Sequence, residues 1–100
     1  MMFSFHPEAE EEFEAAVAWY EERDTGLGLD FAAEVREAFR LAQSMPHAWP
    51  KVEEGIRRVL VHRFPYGVLY SNEGDRLHIL AVMHLRRQPG YWRERLPDSI

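Results

Sequence analysis

Leu77-His-Ile-Leu-Ala-Val-Met83, preceded by Asn72-Glu-Gly-Asp75 and followed by His84-Leu-Arg-Arg-Gln-Pro-Gly-Tyr-Trp92, is the stretch on which the fold turns. A short aliphatic run that opens after a Gly/Asp turn predicts a buried central strand, whose last residues emerge at an edge of the core. What emerges is a histidine, two arginines and a tyrosine. Arginine offers a planar fork of donors and histidine titrates near neutrality, so such a cluster can hold a phosphate, move protons or grip carboxylates.

Upstream of that strand, Ile56 to Phe64 is rich in β-branched residues and ends at the turn Pro65-Tyr-Gly67, and Val68 to Ser71 follows it. Together with residues 77–83 these runs predict an antiparallel meander. Earlier still, Phe3 and Phe5 suggest an edge strand, and Pro7 with Glu8, Glu10, Glu11 and Glu12 suits the first turn of a helix. Ala9, Phe13, Ala16, Val17 and Tyr20 recur at helical spacing to about Arg23, which leaves the glutamates on the solvated face. Asp24 to Gly28 interrupts the pattern, and a second stripe of Phe31, Val35, Ala38, Phe39, Ala42 and Met45 runs to Pro46. The expected architecture is α+β, in the order β-α-α-β-β-β. A helical hairpin covers one face of a small antiparallel sheet, because neither the helix stripes nor the strands bury their apolar residues otherwise. The other face is left for function.

One hundred residues with 46% hydrophobic side chains predict a single domain over residues 1–100. No apolar run is long enough to span a bilayer and Met1 to Pro7 lacks a signal-peptide pattern, so a cytoplasmic protein is expected, without membrane partners. The absence of cysteine excludes disulfides, thiolate catalysis and cysteine-built metal sites. Five histidines raise the question of a metal. His78 and His84, expected on one strand face, would lie roughly 20 Å apart at ~3.3 Å per residue, too far to share an ion. No cofactor is expected. The net charge of −5 is uneven, with an acidic first half and a basic second half, which points to a localised anion site instead of a general nucleic-acid coat.

Phe-His-Pro-Glu-Ala9, Trp19-Tyr20, Gly28, Pro46, Trp49-Pro50, Arg63-Phe-Pro-Tyr66, Tyr70 and His84-x-x-Arg-x-Pro-x-Tyr-Trp92 occur in a fixed order along the chain. In this pattern the sequence resembles the RelE/ParE toxin family, over roughly residues 3 to 95. The resemblance implies a bacterial type II toxin of the plasmid-stabilisation kind, held inactive by a cognate antitoxin whose disordered segment folds on the toxin. Operator DNA would be reached only through that antitoxin.

Two modes of growth inhibition are implied. RelE-like members cut messenger RNA on the ribosome, and by position the catalytic candidates are Arg58, His62, His84, Arg87 and Tyr91. ParE-like members bind DNA gyrase and need no catalytic residue. Gly67 follows Tyr66 where the RNA-cutting relatives carry an arginine, so the resemblance leans to the gyrase-binding side. A non-toxic adaptor that only binds the antitoxin is the remaining alternative. The partner-binding candidates are Arg86, Arg87, Tyr91 and Trp92. Of the two arginines Arg87 is preferred, since neighbours on an extended chain point apart and Arg87 matches the family block. Trp92 is expected to pack the tail onto the helices, and Tyr66 and Tyr70, four apart on one strand, to face the core together.

Overall fold

The computed structural model describes residues 2–97. Strand β1 (Met2–Phe5) leads into helices α1 (Pro7–Arg23) and α2 (Leu27–Ser44), and β2 (Lys51–Glu53), β3 (Ile56–Leu60), β4 (Tyr66–Asn72) and β5 (Arg76–His84) follow. A 3-10 turn over Tyr91–Arg95 closes the described chain. The sheet order is β1-β5-β4-β3-β2.

α1 starts where proline and the glutamates place it. The His6 Nδ1 accepts the Glu8 amide hydrogen at 3.1 Å, so the first turn is capped by a side chain. The hairpin is drawn tight at Gly28, where a Cβ would stand 2.5 Å from the Val17 carbonyl oxygen. Only glycine permits that approach. Phe31, Val35, Ala38, Phe39 and Ala42 of α2 are buried on the sheet as their spacing predicts, whereas Met45 ends the helix and is 48% exposed. The loop beyond is tied by the Tyr70 hydroxyl, which donates to the Pro46 carbonyl at 2.7 Å, and by the Trp49 Nε1, which donates to the Leu41 carbonyl at 3.2 Å.

Four features depart from the sequence expectation. The sheet is mixed, because β1 runs parallel to β5, with Phe3 opposite Leu77 and Phe5 opposite Ile79. The segment after Pro50, expected as loop, contributes the short edge strand β2. β3 ends at Leu60, and the chain then turns through Arg63 at a φ of 73°, which places His62 in a turn instead of on a strand. The fourth is an irregularity in β5. Leu69 faces Ala81 and Tyr70 faces Ile79, so Leu80 is an extra residue. A bulge of this kind reverses the alternation of everything beyond it.

The consequence is two cores on opposite faces of the sheet. Val59, Val68, Tyr70, Leu77, Ile79 and Val82 pack under the helices, and Tyr66 joins them, so both tyrosines of β4 face the hairpin as expected. Ile56, Leu69, Leu80, Ala81 and Met83 form the second cluster, and Trp92 closes it. Trp92 therefore anchors the tail on the sheet, not on the helices, and the face expected to be open is partly roofed. His78 hydrogen-bonds Ser4 on that second side at 2.8 Å, whereas His84 packs on Tyr66 at a centroid distance of 5.1 Å on the helix side. The two histidines do not share a face. No helix is long and apolar enough to cross a membrane among the described residues.

Candidate functional site

β1 pairs with β5 only as far as Ile79, where the chain leaves the sheet for α1. Beyond that point the outer edge of β5 and the flank of α1 form the walls of a groove of about 470 Å³. Ala15, Ala16, Trp19 and Tyr20 line it from α1, and Val82 and His84 from β5, with Tyr66 at its floor and Arg87 at its mouth. Trp19 is 49% exposed and carries the Arg23 guanidinium 3.4 Å above its ring. Burial raises the pKa of the Tyr66 and Tyr20 phenols, so both remain neutral donors. The His84 Nδ1 accepts the Arg86 amide hydrogen at 3.0 Å, which leaves the ring proton on Nε2.

One end of the groove is closed by a cluster that sequence reasoning missed. The Glu12 carboxylate accepts from the Val82 amide at 3.1 Å, the Tyr91 hydroxyl at 2.5 Å, and Arg95 through Nη1 at 2.7 Å and Nη2 at 2.9 Å. Arg95 also donates to the Leu80 carbonyl at 3.1 Å, and its Nε lies 3.1 Å from Glu8 without the alignment of a hydrogen bond. Two side chains thereby occupy backbone groups that a neighbouring strand would otherwise take, one at the bulged Leu80 and one two residues beyond it. The Arg95 side chain is only 6% exposed and that of Glu12 14%, so this is a desolvated, bidentate pair. The helical spacing of α1 predicts Glu12 on the solvated face. The contrary signal was its spacing, three residues after Ala9 and four before Ala16, which are both buried. Nothing in the local sequence marks Arg95.

Tyr91 is held at both its ends. Its hydroxyl is committed to Glu12, and the Arg87 and Arg95 guanidiniums lie 3.9 and 5.0 Å from its ring centroid. Burial first, then the hydrogen bond to Glu12, push the phenol pKa far up, so Tyr91 is a fixed donor.

The five catalytic candidates are divided between separate places. His84, Arg87 and Tyr91 gather about the groove mouth. His62 stands over α2, its Nδ1 3.4 Å from Glu34, with an 81% exposed side chain. Arg58 lies on the second face of the sheet, its stem against Gly67. Of the partner-binding candidates, Arg86 and Arg87 are exposed and Tyr91 is half-buried. Trp92, 4% exposed, has little surface left to offer. No group of histidine and carboxylate side chains suited to a metal occurs among the described residues.

Residues 3–89 match the family of ParE toxins of the type II toxin-antitoxin system parDE. This chain belongs to the ParE toxin family. A solved structure of the chromosomal ParDE toxin-antitoxin system from P. aeruginosa superimposes with a TM-score of 0.64 at 16% identity, covering 84% of this chain and 95% of that one. At that identity the likeness speaks for the ParE fold alone, an α+β arrangement of two helices on a mixed sheet. No curated protein matches the sequence significantly.

Proposed function

We propose that this ParE-family chain arrests growth by binding DNA gyrase, and that a cognate antitoxin neutralises it by laying a folded segment in the groove between α1 and β5. The support for a binding toxin over a nuclease is the state of Tyr91. General acid–base cleavage of RNA needs groups free to exchange protons near one phosphate. Here the phenol is spent on Glu12, His62 is turned toward Glu34, and Arg58 lies on the other side of the sheet. Gly67 supplies no phosphate-binding side chain.

The groove suits a segment that folds on binding. It combines the exposed Trp19 with the apolar Ala15 and Ala16, the anchors an amphipathic helix uses, whereas the Val82 and Leu80 backbone groups that an added strand would need are already held by Glu12 and Arg95. His84 Nε2 and the Arg87 guanidinium at its mouth favour acidic residues on the incoming segment.

The deciding experiment follows DNA and protein synthesis separately after tightly controlled expression, with His84→Ala, Arg87→Ala and Tyr91→Phe beside the unaltered chain. DNA synthesis is expected to stop first and Tyr91→Phe to remain toxic. A RelE-like nuclease would stop translation first and lose about 10²–10⁴-fold in rate with a proton-transfer group removed. Prompt message cleavage abolished by His84→Ala or Tyr91→Phe would overturn the gyrase reading, and the absence of any growth arrest would leave the adaptor.

A further inference from the structure

The tail roofs the second face of the sheet only over β5. Beside Trp92, toward β3, a hollow of about 180 Å³ remains, floored by Leu69 and Met83. Leu85 stands at its rim, 41% exposed, and Leu60, 58% exposed, lies opposite Gly67 on the neighbouring strands. Arg58 crosses this face. A Cβ on Gly67 would meet the Arg58 Cδ at 2.9 Å and Cγ at 3.1 Å, so the missing side chain is what lets the arginine stem lie flat on the sheet and carry its charge to the hollow.

That charge is unanswered. Arg40, Arg63, Arg76, Arg93 and Arg95 each pair with an acid of this chain. Among the described residues Arg23, Arg36, Arg57, Arg58, Arg86 and Arg87 have no acidic partner, but Arg23 and Arg57 donate to backbone carbonyls and Arg36 and Arg87 lie over aromatic rings, whereas the Arg58 head has neither kind of contact. A guanidinium whose stem lies on the sheet beside two exposed leucines is complementary to a segment that brings one carboxylate and one apolar anchor. A nucleic-acid strand fits less well, because bases need an aromatic platform and none is offered: Trp92 is buried and the Tyr91 ring already carries Arg87 and Arg95.

We propose that this hollow is the surface with which the toxin engages its target, and that it receives a protein segment presenting a carboxylate to Arg58 next to an apolar side chain seated among Leu69, Met83 and Leu85. The inference rests on the toxin reading above and assigns target and antitoxin to opposite faces of β5. Arg87 lines both hollow and groove, so an antitoxin that recruits its guanidinium withdraws it from the target side.

The test uses the full chain with Arg58→Glu, Arg58→Lys and Leu85→Asp, and Arg40→Glu as a control on the exposed surface of α2. Growth arrest is read as the inducer level for half-maximal effect, alongside capture of the antitoxin and inhibition of supercoiling by purified DNA gyrase. Arg58→Glu and Leu85→Asp are expected to lose potency roughly tenfold or more while antitoxin capture, which also reports folding, is kept. Arg58→Lys should retain most of the potency and Arg40→Glu all of it. Unchanged arrest by Arg58→Glu and Leu85→Asp overturns the proposal, as does a parallel loss of antitoxin capture. Message cleavage by the unaltered chain would mean that RNA is the occupant, and overturns it too. If the unaltered chain arrests growth through Arg58 and Leu85 without inhibiting gyrase, the docking surface stands and the gyrase reading falls. A chain that never arrests growth removes both.

Discussion

Tyr91 donates its phenolic hydrogen to Glu12 across 2.5 Å, and this one bond joins the C-terminal tail to the first helix over 79 positions of sequence. It turns a tyrosine that sequence position would assign to proton transfer into a strut. Arg95 meets the same carboxylate from 83 positions away, so the tail is fixed by charge on one side and by Trp92 burial on the other.

Replacing Tyr91 by phenylalanine should therefore register in stability before it registers in toxicity. The hydrogen bond has a charged acceptor, so its loss is expected to cost about 1.5–3 kcal/mol. Glu12 keeps Arg95 and the Val82 amide as partners. Chemical denaturation of the pure variant measures the cost, and growth arrest on induction should persist.

The same phenol sets an alkaline limit. Its pKa is raised in the folded chain, so the folded state holds the proton more tightly than the unfolded one, and the stability that follows is complete below the ordinary tyrosine value of about 10 and declines above it. Denaturation midpoints should fall as pH rises past about 10, and the fall should be shallower in Tyr91→Phe. Equal slopes for the two proteins would show that Tyr91 does not carry the effect.

Breaking the buried pair from one side should be far worse than removing both partners. Glu12→Leu alone leaves Arg95 desolvated and is expected to cost roughly 3–5 kcal/mol, whereas Glu12→Leu with Arg95→Leu should recover a good part of that. Unfolding curves for the singles and the double give the coupling. Hydrogen exchange at the Val82 amide should accelerate in every variant lacking Glu12, because that carboxylate is its acceptor.

Gly28→Ala tests the helical hairpin. The added methyl meets a backbone oxygen that cannot swing aside, so α1 and α2 must separate, at a cost of about 1–3 kcal/mol. A thermal melt lowered by several degrees is expected; an unchanged melt would mean that the hairpin relaxes freely.

Trp19→Ala and His84→Ala examine the groove. Trp19 presents the largest exposed apolar surface there, and its truncation should weaken antitoxin capture by roughly tenfold or more, with a smaller loss for His84→Ala. Growth arrest should survive both changes. Isothermal titration with the antitoxin segment separates the two effects.

Much of this molecule was written in short-range pattern. Proline at the start, glutamates behind it and apolar residues at steps of three and four placed α1 at Pro7–Arg23, and β-branched runs between Gly and Pro turns placed β3, β4 and β5. These signals are local because helix and strand periodicity repeats within a few residues. The family blocks of Arg63 to Tyr66 and His84 to Trp92 were likewise readable as they stand.

The tertiary structure decided what those residues can do. A single extra residue at Leu80 turned His84 from the second face of the sheet to the helix side, and no local signal fixes where a strand slips against its neighbour, since that register is settled by which face the core on each side can bury. Glu12 reads as a surface charge and Arg95 carries no local signal, because sequence records the kind of a side chain and not its solvation. Only the return of the tail across α1 removed water from the pair and took Tyr91 with it, while Gly67, a plain absence in sequence, became the bed on which Arg58 lies.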